Sequence, residues 1–160
     1  MNKRLNFADE NLLISILIPQ DWEANKISPQ NIRFAAKPQK SYNNYRPYLY
    51  ILRKKPDGEG NIWFEEFCRE NLDELEQNCT GFKYLYSDRS SLSSFADLHI
   101  AIYECSPEPQ EIFTRLQAMI YHTKHNFYFI EASTPKPLAD TFIPKFEQAI
   151  KSIRLLPERS

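Results

Sequence analysis

Residues Glu111 to Ser133, EIFTRLQAMIYHTKHNFYFIEAS, decide the fold. Phe113, Leu116, Ala118 and Ile120, then Tyr128 and Ile130, form an apolar series that Thr114, Arg115, Gln117, Thr123 and Glu131 interrupt. Alternation broken in this way belongs to a sheet covered on one face and partly covered on the other. Lys124-His125-Asn126 supplies a turn, since Asn tolerates the left-handed conformation that a short hairpin loop needs. The stretch reads as the longest β-hairpin of the chain and the middle of one antiparallel sheet. It is a scaffold with an apolar face and carries no assembled chemistry.

Upstream of the hairpin, Leu98 to Cys105 alternates as a strand, and Ser106-Pro107-Glu108-Pro109 leads from it into the hairpin. Phe82 to Ser87 is another strand, and Asp88 to Ser94 is polar and turn-like. Before these, Phe64, Phe67, Cys68, Leu72, Leu75 and Cys79 recur at helical spacing, opposite an acidic face of Glu66, Glu70, Asp73, Glu74 and Glu76. Asn61 is placed to cap that helix at its start and Gly81 at its end. Nearer the N-terminus, Leu12 to Ile18, Asn31 to Lys37 and Tyr48 to Lys55 read as strands. They are punctuated by Pro19-Gln20-Asp21-Trp22, a Tyr-rich loop at 38–47 and the turn Pro56-Asp57-Gly58. Trp22 is placed to fold back as an apolar anchor. Downstream, Thr134-Pro135-Lys136-Pro137 breaks the sheet, and Leu138, Phe142, Phe146, Ala149, Ile150 and Ile153 mark a final helix. Pro144 lies inside that pattern, so a short first turn with the main helix starting near Pro144 is expected.

Two amphipathic helices must each bury a face on the sheet, which predicts an α+β fold. Its form is an α/β/α sandwich, a central antiparallel β-sheet flanked by two main helices. The 160 residues are expected to make a single domain, with 42% hydrophobic and 14% aromatic residues. A net charge of −1 gives no general pull toward nucleic acid or acidic membranes. The apolar run at Leu12 to Ile18 is too short for a signal h-region or a membrane span, so a cytoplasmic location without membrane insertion is expected. Cys68 and Cys79, eleven residues apart on one helix, stand roughly 16 Å apart and should not pair. With Cys105 they are expected to be reduced, mostly buried thiols.

The chain resembles a known family. The features that carry the likeness are a strand ending in Pro19-x-x-Trp22, a helix closing into Gly81-Phe82, and a long hairpin with its Ala132-Ser133-Thr134-Pro135 break. A last helix with Phe146, Ile150 and Lys151-Ser152-Ile153 completes it. Together, over nearly the whole chain, these are similar to the PsbP/Mog-like superfamily, including its bacterial domain of unknown function. The resemblance implies a non-enzymatic accessory or binding role. Members support the oxygen-evolving machinery of photosystem II, bind a Ran-type small GTPase, or shield apolar segments of secretion effectors. No functional residue of the family carries over to a position here.

Chemical motifs are sparse. The three glycines, Gly58, Gly60 and Gly81, cannot make a dinucleotide fingerprint, because its third position falls on Trp63. His122 and His125 flank a turn, with Glu131 or Cys105 nearby, but nothing supplies a third ligand at zinc-like spacing. Ser90, Ser91, Ser93 and Ser94 lack a nucleophile-elbow context and read as a polar loop. No cofactor, metal or catalytic residue is expected. Tyr42, Tyr45, Arg46 and Tyr48 combine flat aromatics with a cation, a composition enriched at protein interfaces, and form the candidate protein-binding site. The expected function is a non-enzymatic intracellular binding, adaptor or chaperone-like module for a protein partner. One alternative is an accessory protein of a photosynthetic membrane complex. Another is a small enzyme whose site gathers His99, Glu104, His122 and Glu131.

Overall fold

The computed structural model describes residues 3–55, 58, 60–93, 96–122 and 127–157, apart from the side chain of Asn61. The turn read at Lys124-His125-Asn126, the Pro56-Asp57 part of the preceding turn, Ser94 and the Asn61 cap lie outside the described residues.

Among the described residues, ten strands and two α-helices follow the order β1 (Arg4–Asp9), β2 (Ile14–Pro19), β3 (Glu23–Ser28), β4 (Asn31–Ala35), β5 (Tyr48–Lys54), α1 (Gly60–Asn78), β6 (Lys83–Ser93), β7 (Ala96–Glu108), β8 (Glu111–His122), β9 (Phe127–Pro135), α2 (Ala139–Lys151) and β10 (Arg154–Leu155). Single 3-10 turns occur at Lys40–Tyr42 and Lys136–Leu138. Seven strands make one antiparallel sheet in the order β3-β4-β5-β9-β8-β7-β6, with β9 and β8 at its middle as the sequence predicts. A second sheet, β1-β2-β10, is one the sequence reading did not foresee.

The α+β class holds, and α1 and α2 lie on opposite faces of the large sheet. Ile14, Ile16 and Ile18 of β2 and Phe142, Phe146, Ala149 and Ile150 of α2 join Leu116, Ala118 and Ile120 of β8 in the main core. On the reverse face, Phe64 and Cys68 of α1 pack with Met119, Tyr121 and Phe127. Successive strand side chains point to opposite faces, so β8 feeds both cores from alternate residues. Trp22 is buried and its ring stands 5.7 Å from Phe146, the anchor role read from Pro19-x-x-Trp22.

Several boundaries differ from the sequence expectation. The longest hairpin is β7–β8 rather than β8–β9, because β7 runs on through Pro107 to Glu108 after an irregularity between Cys105 and Glu108. β6 continues to Ser93, so Ser90, Ser91 and Ser93 are strand residues; polar side chains are at home on this solvent-facing sheet edge. Strand β9 likewise runs to Pro135, opposite Phe113. Helix α2 begins at Ala139 and continues through Pro144, with the 3-10 turn before it, so the helix does not start near the proline. One missing N–H five residues into the helix is outweighed by the burial of Phe142 and Phe146 on its apolar face.

Candidate functional site: an aromatic pocket at one end of the sheet

The Tyr-rich loop is held in one shape. Gln39 N–H donates to Tyr45 O at 2.9 Å, Tyr42 N–H to Gln39 O at 3.0 Å and Tyr45 N–H to Tyr42 O at 2.9 Å. Asn43 and Asn44 turn the chain with φ of 55° and 59°, the left-handed region that Asn accepts more readily than most residues. From this turn the Tyr45 ring reaches the end of the β8–β9 hairpin. It lies 5.0 Å from the Phe113 ring, and its hydroxyl donates to Ser133 Oγ at 2.9 Å. Burial raises the Tyr45 pKa, the hydrogen bond to Ser133 opposing it. The phenol therefore stays neutral near pH 7 and serves as a donor.

This contact closes one wall of a pocket of about 440 Å³. Tyr42 and Tyr45 come from the loop, Ile112 and Phe113 from the start of β8, and Pro135 and Pro137 from the junction of β9 with α2. Most of the wall surface is apolar, and Ser41, Asn43, Gln110 and Glu111 add polar groups to it. Lys136 also lines the pocket, and its ammonium bridges both carboxylate oxygens of Glu104, at 3.3 and 3.2 Å. Ile112 remains 43% exposed at this site.

The four residues chosen from the sequence divide between two places. Tyr42 and Tyr45 line the pocket, whereas Arg46 and Tyr48 do not. Arg46 turns the other way, donating from Nε to Ala36 O at 2.8 Å and pairing with Glu23 at 3.1 Å, so it fastens the loop to the sheet edge. Tyr48 lies on β5 beneath the Arg33 guanidinium, 4.4 Å above its ring, and burial followed by the charge of Glu131 pushes its pKa up to about 12. The residues at Ile112, Phe113, Pro135 and Pro137 were missed. Their signal was register: pairing Tyr121 with Phe127 brings Phe113 opposite Pro135, beneath the Tyr loop.

The set named for an enzymatic alternative is not assembled. Glu104 and His122 share the α2 face of the sheet by strand alternation, while His99 and Glu131 share the α1 face. Two strand spacings and two residues of rise separate His99 from Glu131, about 12 Å. His99 is buried beside Arg89, and burial, then that cation, lowers its pKa. Among the described residues no group of three or more His, Cys, Asp or Glu converges as a metal site. None of the described helices is long and apolar enough to cross a membrane.

No family model and no curated protein matches the sequence. Solved structures do. A protein of unknown function from Pseudomonas aeruginosa, PA94, superposes with a TM-score of 0.64 at 14% identity, over 98% of this chain and 99% of that one. LpqN of Mycobacterium tuberculosis, described as involved in cell envelope biogenesis, gives 0.69 at 16% identity over 90% and 83%. The Ran-binding protein Mog1p of Saccharomyces cerevisiae gives 0.60 at 10% identity over 98% and 97%. Identities this low speak to the fold alone, and on it they agree with the topology above: the chain has an α+β fold like that of Mog1p, PA94 and LpqN.

Proposed function

We propose that this protein is a non-catalytic binding module of the cytoplasm, working without cofactor or metal, that seats an apolar segment of a partner protein in the Tyr45 pocket. The observation that carries this reading is the convergence of three chain-distant segments on one cavity with apolar walls. Hydrogen bonds already fix the loop that forms one wall, which reduces the ordering cost of binding. Its volume lies within the range of about 300–1,000 Å³ usual for concave binding sites. Aromatic side chains are enriched among the residues that carry most of the binding energy at protein interfaces. Of the two charged residues that line the pocket, Glu111 and Lys136, the lysine is paired with Glu104. That the Ran-binding neighbour uses this fold to engage a protein supports a binding or adaptor role. The apolar character of the walls favours a chaperone-like mode, in which a greasy segment is shielded from water.

The test is an affinity capture from native lysate with wild type, Ile112→Asp and, as a surface control, Ile62→Asp, since Ile62 stands 74% exposed on α1. Wild type and the Ile62 variant should retain the same partner, and Ile112→Asp should lose at least about tenfold, or 1.4 kcal/mol. The unfolding midpoint of Ile112→Asp should match wild type. Equal retention by Ile112→Asp would overturn the assignment of the site.

A further inference from the structure

Away from the pocket, two cysteines meet where α1 hands the chain to β6. Helix α1 ends at Asn78, and Gly81, with φ of 67°, turns the chain against β7 so closely that an added Cβ would stand 2.8 Å from Ser106 Cβ. Ser106 N–H donates to Thr80 O at 2.7 Å. These contacts clamp residues 79–81 against 105–106 and so set Cys79 beside Cys105. Cys79 is partly exposed, and Cys105 is buried beneath it. Cys68 is buried eleven residues earlier, and its thiol is pushed up to about 12 by burial.

We propose that Cys79 and Cys105 are a dithiol site that closes to an intramolecular disulfide by exchange with a small-molecule disulfide of the glutathione class. Exchange begins at the exposed sulfur. The Cys79 thiolate attacks one sulfur of the small disulfide, whose S–S bond breaks and releases one small thiolate. The Cys105 thiolate then attacks Cys79 Sγ in the mixed disulfide, forming the protein S–S bond and expelling the second small thiolate. The two leaving thiolates take up the two protons lost by the protein. Two electrons pass from the protein to the oxidant, so two protein thiols and one small disulfide become one protein disulfide and two small thiols. Arg115 places its guanidinium 3.7 Å from Cys105 Sγ, a cation beside the sulfur that carries negative charge as it attacks. A disulfide demands Cα atoms within about 7 Å of each other, and the packing of residues 79–81 on 105–106 favours that.

The groups that face Cys79 are Tyr103 and Cys105 from β7, Arg115 from β8 and Glu131 from β9. Burial, then the neighbouring Cys105, pushes the Cys79 thiol up to about 11. Closure is therefore slow at neutral pH and should quicken about tenfold per pH unit from 7 to 9, as the thiolate fraction grows.

The experiment treats the full chain, reduced with dithiothreitol and desalted, with oxidised glutathione at pH 8, and reads intact mass and mapped peptides. The expected product is a monomer about 2 Da lighter, with residues 79 and 105 linked and Cys68 still free, whose unfolding midpoint is raised by about 5 °C. Cys79→Ser, a change at a partly exposed position, should abolish the mass loss while the protein stays folded. Failure to react, a persistent glutathione adduct on Cys79, a link involving Cys68, or a covalent dimer would each overturn the proposal.

Discussion

His99 shows how a single residue can be fully determined by its surroundings and still mislead a reader of the sequence. Its alternating position in β7 was legible, but its partners were not, because they come from β6 and β8. It is buried, and its Nδ1 has no hydrogen-bond partner among the described residues. Burial, then Arg89, disfavours its charged form and lowers its pKa from 6.5, with Asp88 opposing. Below 6.5 the unfolded chain binds a proton at this site that the folded chain resists. The stability tied to His99 is thus complete above 6.5 and is lost as pH falls from there toward its lower folded pKa. Urea midpoints at pH 7.5 and 5.5 should show wild type losing stability, and His99→Gln losing markedly less. An equal loss in both would place the responsible proton elsewhere. Tyr45 and Arg46 were equally legible as interface chemistry, yet neighbouring positions sent one into the pocket and the other to Ala36 and Glu23.

At the scale of elements, legibility followed periodicity. Helix α1 was readable because its apolar residues repeat at helical spacing, and β5 because Leu49 and Ile51 are buried against exposed or half-buried neighbours. β3, with sequence EANKIS, has almost no buried face, and β10 is two residues long, so neither carries a signal that local pattern could reveal. β1 was hidden for the same reason, since its side chains stay largely exposed and its pairing with β2 defines it. The pocket was half legible: its loop wall announced itself by composition, whereas its other walls depended on strand register. α1 also shows how little contact can hold an element. Its first turns dock through Phe64, stacked at 5.5 Å on Tyr121, with Trp63 and Phe67 around Phe127, while much of its later length faces water. Phe64→Ala should cost about 3–5 kcal/mol by the loss of a fully buried ring. Hydrogen exchange should then show α1 amides losing protection well before those of α2. Unchanged α1 protection would mean that the helix is held by something other than this aromatic cluster.

Across the whole molecule, the large sheet separates two unequal cores and carries a pocket at one end. The α2 side carries most of the buried apolar residues, sealed by the small sheet and by Tyr128, whose hydroxyl donates to Leu12 O at 2.6 Å. The α1 side holds the smaller aromatic cluster, and beyond it a polar stretch with Tyr48 and Glu131. The pocket lies where the Tyr loop, the β7–β8 turn and the β9–α2 junction meet, away from the bulk of either core. The double-cored body carries a preformed, mostly apolar cavity at its end, and the residues named for the enzymatic alternative are divided between the two faces of its sheet. The most direct test replaces Ile112 or Ile62 with a photo-cross-linking amino acid in living cells and identifies what each position captures. One partner should be captured from position 112, through an apolar segment, and be absent from position 62. Capture of the same partner from both positions, or from 62 alone, would contradict it.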